Sequence, residues 1–209
     1  MKKLALILAL SMMMPHGMKA QENEISVSYG RGSLPAITYT MASVFAPVFS
    51  FGLLEIEDSH SLGCVTAGYW HYFNERLSVG TDLSAELFKL CFNQYDGKDD
   101  NGKAKYRPGD WQRLDFVTLM PGVKYKWVSR AHFGMYSKLS AGATMYYQHD
   151  ISVQTDESET EERVADTDFS FAMQFSPLGI EAGNESVRGF TEIGFGMEGI
   201  VLAGVRYIF

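Results

Sequence analysis

An all-β chain of eight antiparallel up-and-down strands is what this sequence predicts, and three observations predict it. Eight segments alternate apolar and polar residues with period 2, and helical spacing is rare. The connections between the segments alternate short and long. The face opposite the apolar one holds Gly, Ser, Ala and isolated charges, where a solvated surface carries many Lys and Glu. A soluble barrel hides its apolar face, and a membrane barrel shows it to lipid. The expected class is therefore an eight-stranded antiparallel up-and-down transmembrane β-barrel.

The strands are expected at 24–33, 60–73, 77–92, 111–127, 132–149, 167–181, 187–196 and 199–209. In the first, Ile25, Val27 and Tyr29 stand against Ser26, Ser28 and Gly30. In the third, Leu77, Val79, Thr81, Leu83, Ala85 and Leu87 oppose Ser78, Gly80, Asp82, Ser84 and Glu86. The fifth sets Phe133, Met135, Leu139, Ala141, Ala143 and Met145 against Gly134, Lys138, Ser140, Gly142 and Thr144. The sixth sets Phe169, Phe171, Met173, Phe175 and Pro177 against Ser170, Ala172, Gln174 and Ser176. The last has Val201, Ala203, Val205, Tyr207 and Phe209 on one face, with Gly204 and Arg206 on the other.

Short turns are expected near Asn74-Glu75-Arg76, Ser129-Arg130 and Gly183-Asn184-Glu185, and long connections at 34–59, 93–110 and 150–166. The final connection, Met197-Glu198-Gly199, suits a type I turn followed by a left-handed residue. Aromatic residues gather near strand ends, as interfacial girdles require. One set is Tyr72, Phe73, Tyr125, Trp127, Phe133 and Tyr207, and the other is Phe88, Phe92, Trp111, Tyr146, Tyr147 and Phe169.

Composition narrows the alternatives. The 209 residues are 46% hydrophobic, 21% charged and 13% aromatic, which suits one ordered domain. Two cysteines do not make a disulfide scaffold. No run of 18 apolar residues marks a membrane helix in the mature chain. Residues 1–20, with Lys2, Lys3 and the apolar stretch Leu4–Met14, read as a secretory signal peptide cut after Ala20. Residues 21–209 form the barrel domain. Formal charge is −7 before processing and −10 once Lys2, Lys3 and Lys19 are removed, which argues against nucleic acid as a partner.

The ending Gly204-Val205-Arg206-Tyr207-Ile208-Phe209 resembles the C-terminal assembly signal of outer-membrane barrels, carried by Val205, Tyr207 and Phe209. The stretch from Gln174 to Phe209 resembles small outer-membrane β-barrel proteins of Bacteroidetes, whose architecture is similar to the OmpA and OmpX barrels. The resemblance implies insertion by the barrel assembly machinery and contact with outer-membrane lipid and lipopolysaccharide. It implies no defined activity, and the OmpA-type periplasmic domain is not expected.

Asp82, Glu86, Lys124, Lys138, Glu192 and Arg206 fall on the inward parity, joined by Gln174. Buried charges are tolerated when paired, so a lumen charge network is expected. By resemblance to the OmpA barrel, Glu86, Lys138, Glu192 and Arg206 match its interior set. The network reads as a polar plug, with an ion gate or narrow pore as the alternative. Cys64 is expected opposite residue 85 or 86, roughly five residues out of register with Cys91, too far for a disulfide.

His60, His71, His132 and His149 lie at strand ends. His149 with Asp150, or His60 with Asp58 and Ser59, would supply a base and its orienter to a lipid A-modifying enzyme, but no nucleophile motif accompanies them. No catalysis, metal or cofactor is expected. Loop 34–59 is apolar, with a short helix expected from Thr40 to Ala46 ended by Pro47. It reads as a segment in the outer leaflet or over the barrel mouth, or as a surface for a partner. Loop 150–166 is acidic and reads as solvated. The expected role is structural or surface-interacting, in the outer membrane of a Gram-negative bacterium, with both termini periplasmic. A soluble lipocalin-like carrier is the remaining rival.

Overall fold

The computed structural model describes residues 23–50, 54–98, 104–107, 111–151 and 165–209. The expected signal peptide at 1–20 and most of the acidic loop 150–166 lie outside the described residues. The strands are β1 (Asn23–Arg31), β2 (Leu54–Tyr72), β3 (Leu77–Lys98), β4 (Ala104–Arg107), β5 (Trp111–Ser129), β6 (Phe133–Ile151), β7 (Ala165–Gly183), β8 (Val187–Gly196) and β9 (Val201–Ile208). One helix, α1 (Leu34–Phe49), follows β1.

Eight strands close into a ring in the order β1-β2-β3-β5-β6-β7-β8-β9, every pair antiparallel, with β9 returning to β1. Closure leaves no free ladder edge over the height that all eight strands share. The first and last residues of the ring meet: the Asn23 N–H donates to the Phe209 carbonyl at 2.8 Å, and the Phe209 N–H returns to the Asn23 carbonyl at 2.9 Å. The eight-stranded antiparallel barrel expected from the alternation is the observed fold. Leu83, Leu119, Ala143 and Phe171 pair in one outward row across β3, β5, β6 and β7.

The exterior is apolar. Ile25, Val27, Val79, Leu83, Val117, Leu119, Val123, Leu139, Phe175, Ile193, Val201 and Val205 are all exposed. Tyr125, Trp127, Phe133, Phe73 and Tyr207 are exposed near the end that carries the termini. Three girdle assignments are corrected, and one of them is Tyr146, which is half-buried and packs inward beside Phe116, ring centroids 6.1 Å apart. Tyr72 and Phe88 are buried in the lumen, because inward parity, rather than proximity to a strand end, sets the direction of a side chain. The side chains of Phe92 and Trp111 lie outside the described ones.

Several strands run further than expected. β2 begins at Leu54 and β3 continues to Lys98, where β4 pairs with it beyond the ring. The supposed loops at 34–59 and 93–110 are therefore partly helix and partly hairpin. α1 starts at Ser33, whose Oγ accepts the Ala36 N–H at 3.2 Å as an N-cap. Pro35 sits in the first turn, where a missing N–H costs nothing. The helix runs through Pro47 to Phe49, where a shorter Thr40–Ala46 helix was expected.

The wall is uneven in height. β2, β5, β6 and β7 have 19 residues and β3 has 22, whereas β1, β8 and β9 have 9, 10 and 8. β7 pairs with β8 only from Gln174 onward, and β2 pairs with β1 only from Cys64 onward. At about 3.3 Å per residue, the overhang of β7 is roughly 30 Å along the strand. Among the described residues, the far end of the barrel thus carries a notch one helix wide or more, above β8, β9 and β1.

Candidate functional site

The lumen is built in tiers. In the tier nearest the termini, Glu24 of β1 accepts from Lys124 Nζ of β5 at 2.7 Å and lies 3.5 Å from Arg206 of β9. The Tyr72 hydroxyl also donates to Glu24. Glu181 of β7 takes three cations: Arg206 at 2.6 Å, Arg188 at 2.7 Å and Lys126 at 2.9 Å. The same cations lie over rings, with Lys124 4.3 Å from Trp70 and Arg206 4.1 Å from Phe190. Desolvated cations gain from such faces.

The middle tier centres on Lys138 of β6. Its Nζ lies 3.2 Å from Asp82, 3.2 Å from Glu192 and 2.7 Å from Glu198. Tyr136 joins the two tiers: its hydroxyl donates to Glu192 at 2.7 Å and accepts from Arg206 at 2.5 Å. The Trp70 Nε1–H donates to Asp82 at 3.1 Å.

Glu198 enters the lumen from the β8–β9 connection, residues 197–200, which folds inward. Gln174 holds it there. Its Oε1 accepts the Glu198 N–H at 3.0 Å, and its Nε2 donates to the Gly199 carbonyl at 3.0 Å. Gly199 has φ 125°, a conformation that favours glycine. A β-carbon at Gly30 of β1 would collide with the Glu198 carbonyl, so the tuck needs glycine there as well.

Above the charges the lumen turns apolar. Phe88, Leu114, Phe116, Met120, Ala172 and Met197 form one buried cluster, and Leu34, Ala36 and Tyr39 of α1 pack onto it. The Tyr39 and Phe88 ring centroids are 5.0 Å apart. Burial raises the Tyr39 phenol above its usual value.

Asp82, Glu86, Lys124, Lys138, Glu192 and Arg206 are all buried in this lumen. Lys138 meets Asp82 and Glu192 directly, Lys124 meets Glu24, and Arg206 reaches Glu192 through Tyr136. Glu86 stands apart and accepts from Ser61 Oγ at 2.5 Å. Sequence reasoning missed Glu24, Lys126, Glu181, Arg188 and Glu198. Val205, Tyr207 and Phe209 all face outward, with the Tyr207 and Phe209 rings stacked at 5.8 Å.

Cys64 opposes Glu86, and Cys91 opposes Asp58 further along the same pair of strands. The Cys91 side chain lies outside the described ones, as do those of His60, His149, Asp58, Ser59 and Asp150. His71 Nδ1 is 2.9 Å from Asn23 Oδ1, and His132 Nδ1 is 3.0 Å from the Gly183 carbonyl, both at the terminal end of the barrel. Among the described residues no group of three or more His, Cys, Asp or Glu is placed to hold a metal ion.

No family model and no curated protein matches this chain. Among solved structures it is similar to the crystal structure of Ail, the attachment invasion locus protein of Yersinia pestis, in complex with the heparin analogue sucrose octasulfate. The TM-score is 0.47 and the identity 11%, over 90% of this chain and 99% of Ail.

Proposed function

We propose that this protein is an integral outer-membrane β-barrel with a structural or surface-interacting role, a sealed lumen and no catalytic function. One observation carries the reading: the barrel is inverted, with apolar side chains exposed around the wall and charged ones buried inside it. In water this arrangement would leave a large apolar surface solvated, whereas in a bilayer it satisfies both phases. The lumen supports a plug. Five cations and six carboxylates are buried along it, and Trp70, Tyr72 and Tyr136 occupy the space between them. Eight strands enclose an interior that side chains of this size fill.

The finer parts of the reading follow from the same layout. Val205, Tyr207 and Phe209 form an exposed strip at the chain end, suited to recognition by the barrel assembly machinery. The short turns and both termini belong to the periplasmic side. The β2–β3 and β3–β4 extensions then stand outside the cell as the interacting surface. Reconstitution into planar bilayers tests the sealed lumen: a flat current trace is expected. Stepwise conductance that changes in Lys138→Ala would establish a pore instead. Recovery of the protein in the soluble fraction without detergent would refute the membrane reading itself.

A further inference from the structure

α1 follows β1 at the foot of the notch and, among the described residues, packs against β2 and onto the apolar cluster of the upper lumen. α1 carries no charged residue, and neither does the chain from Gly32 to Leu54. Its inward side, Leu34, Ala36 and Tyr39, covers the Phe88 cluster. Its outward side presents Met41, Val44, Phe45 and Val48 at helical spacing, 57%, 63%, 48% and 68% exposed. A helix washed by water on that side would carry polar residues there. Leu62, Ile200, Val201 and Phe171 are likewise exposed on the wall around the notch.

Between α1, the top of β1 and β2 lies a groove of about 340 Å³, lined by Ala36, Ile37, Met41 and Phe88 with the polar Thr40, Ser61 and Arg31 among them. That volume is at the lower end of ligand-binding cavities. Arg31 is exposed; its Nε donates to the Tyr29 hydroxyl at 3.1 Å, and among the described residues no carboxylate pairs with it. A guanidinium with no carboxylate partner among the described residues, lining a mostly apolar groove, complements a phosphate with a hydrocarbon tail.

We propose that the notch is a docking site for a phosphorylated lipid of the surrounding membrane, with one acyl chain in the α1–β2 groove and its phosphate on Arg31. This rests on the membrane reading above. In it, α1 is a lipid-facing door to the apolar upper lumen, and the bound chain completes the wall that the three short strands leave open.

The test is native mass spectrometry of the full chain released from vesicles of palmitoyl-oleoyl-phosphatidylglycerol. The wild-type barrel is expected to retain one phosphatidylglycerol, and Ala36→Trp, which fills the groove, to lose it. Arg31→Gln, an exposed change that leaves the packing intact, is expected to lower retention about tenfold, the worth of one charge-assisted hydrogen bond of about 1.5 kcal/mol. Phosphate-free palmitoyl-oleoyl-glycerol is expected to show no difference between wild type and Arg31→Gln. Leu119→Trp on the far wall serves as a control and should retain the lipid. Equal retention by wild type, Ala36→Trp and Arg31→Gln overturns the site, as does a dimer in place of a lipid adduct. A chain that never enters the vesicles refutes the membrane reading, whereas one that enters and retains no lipid refutes only the docking site.

Discussion

Replacing Lys138 with Met tests the centre of the plug. The side chain keeps its length and loses its charge, so three carboxylates, Asp82, Glu192 and Glu198, lose the cation that lies within 3.2 Å of each. Removing one partner of a buried ion pair costs about 3–5 kcal/mol. Three acids sharing one lysine put this case at the upper part of that range, unless one of them takes up a proton. Protonating an ordinary glutamate costs about 3.7 kcal/mol at pH 7 and about 1 kcal/mol at pH 5. That cost caps the loss for one carboxylate and makes it pH-dependent. The expected outcome is a urea midpoint for the variant in phospholipid vesicles well below that of wild type at pH 7–8, with much of the gap closing at pH 5. The sign follows because acid supplies the missing neutralisation, so stability returns as pH falls. Adding Asp82→Asn to the variant removes one unpaired acid and should restore part of the loss. A midpoint unchanged at pH 8, or a gap that widens in acid, would refute the claim that Lys138 neutralises this cluster.

Other outcomes follow from the same geometry. Gln174→Leu strands the buried Glu198 N–H and Gly199 carbonyl, at about 1–3 kcal/mol each, and should lower the unfolding midpoint without altering expression in the membrane. Gly30→Val drives a side chain into the Glu198 carbonyl and should expel the turn, read as new protease cleavage near residue 198 in intact cells. Leu119→Arg places a cation on an exposed position of the outer row; in a bilayer this costs about 2–4 kcal/mol near the midplane, measured as a lowered refolding yield in vesicles. A soluble barrel would tolerate or welcome it. Deleting Phe209 should reduce heat-modifiable, assembled protein in the membrane fraction.

Strand parity was legible from residues such as Leu83, Leu119 and Val205, because a period of 2 is a local property of the chain. The same rule reaches Glu24, Lys126 and Arg188, which sit at even, inward positions. It fails at Glu181. A bulge between Phe175 and Leu178 inserts one extra residue at Ser176-Pro177 and flips the parity, so the odd positions Gly179 and Glu181 face inward. Glu198 was hidden for a different reason. It belongs to a connection, and partners remote in sequence, the Gln174 amide 24 residues earlier and Lys138 60 residues earlier, hold it in the lumen. Ser33 followed by Pro35 is a helix-start signal that fixes where α1 begins. Its inward packing, by contrast, meets a cluster assembled from β3, β5, β7 and the β8–β9 connection, which no local pattern records.

The inward tuck of residues 197–200 also bears on the order in which the wall is completed. β8 and β9 form a short hairpin whose strands are adjacent in sequence, yet its tip is satisfied by Gln174 of β7, 24 residues back, and by Lys138 of β6, 60 residues back. Contacts of that sequence separation form late in folding. Interactions absent from the transition state govern how fast a native protein comes apart rather than how fast it forms. The hairpin tip therefore works as a latch: substitutions at Gln174, Lys138 or Glu198 should leave the insertion rate nearly constant and speed the opening of the finished barrel.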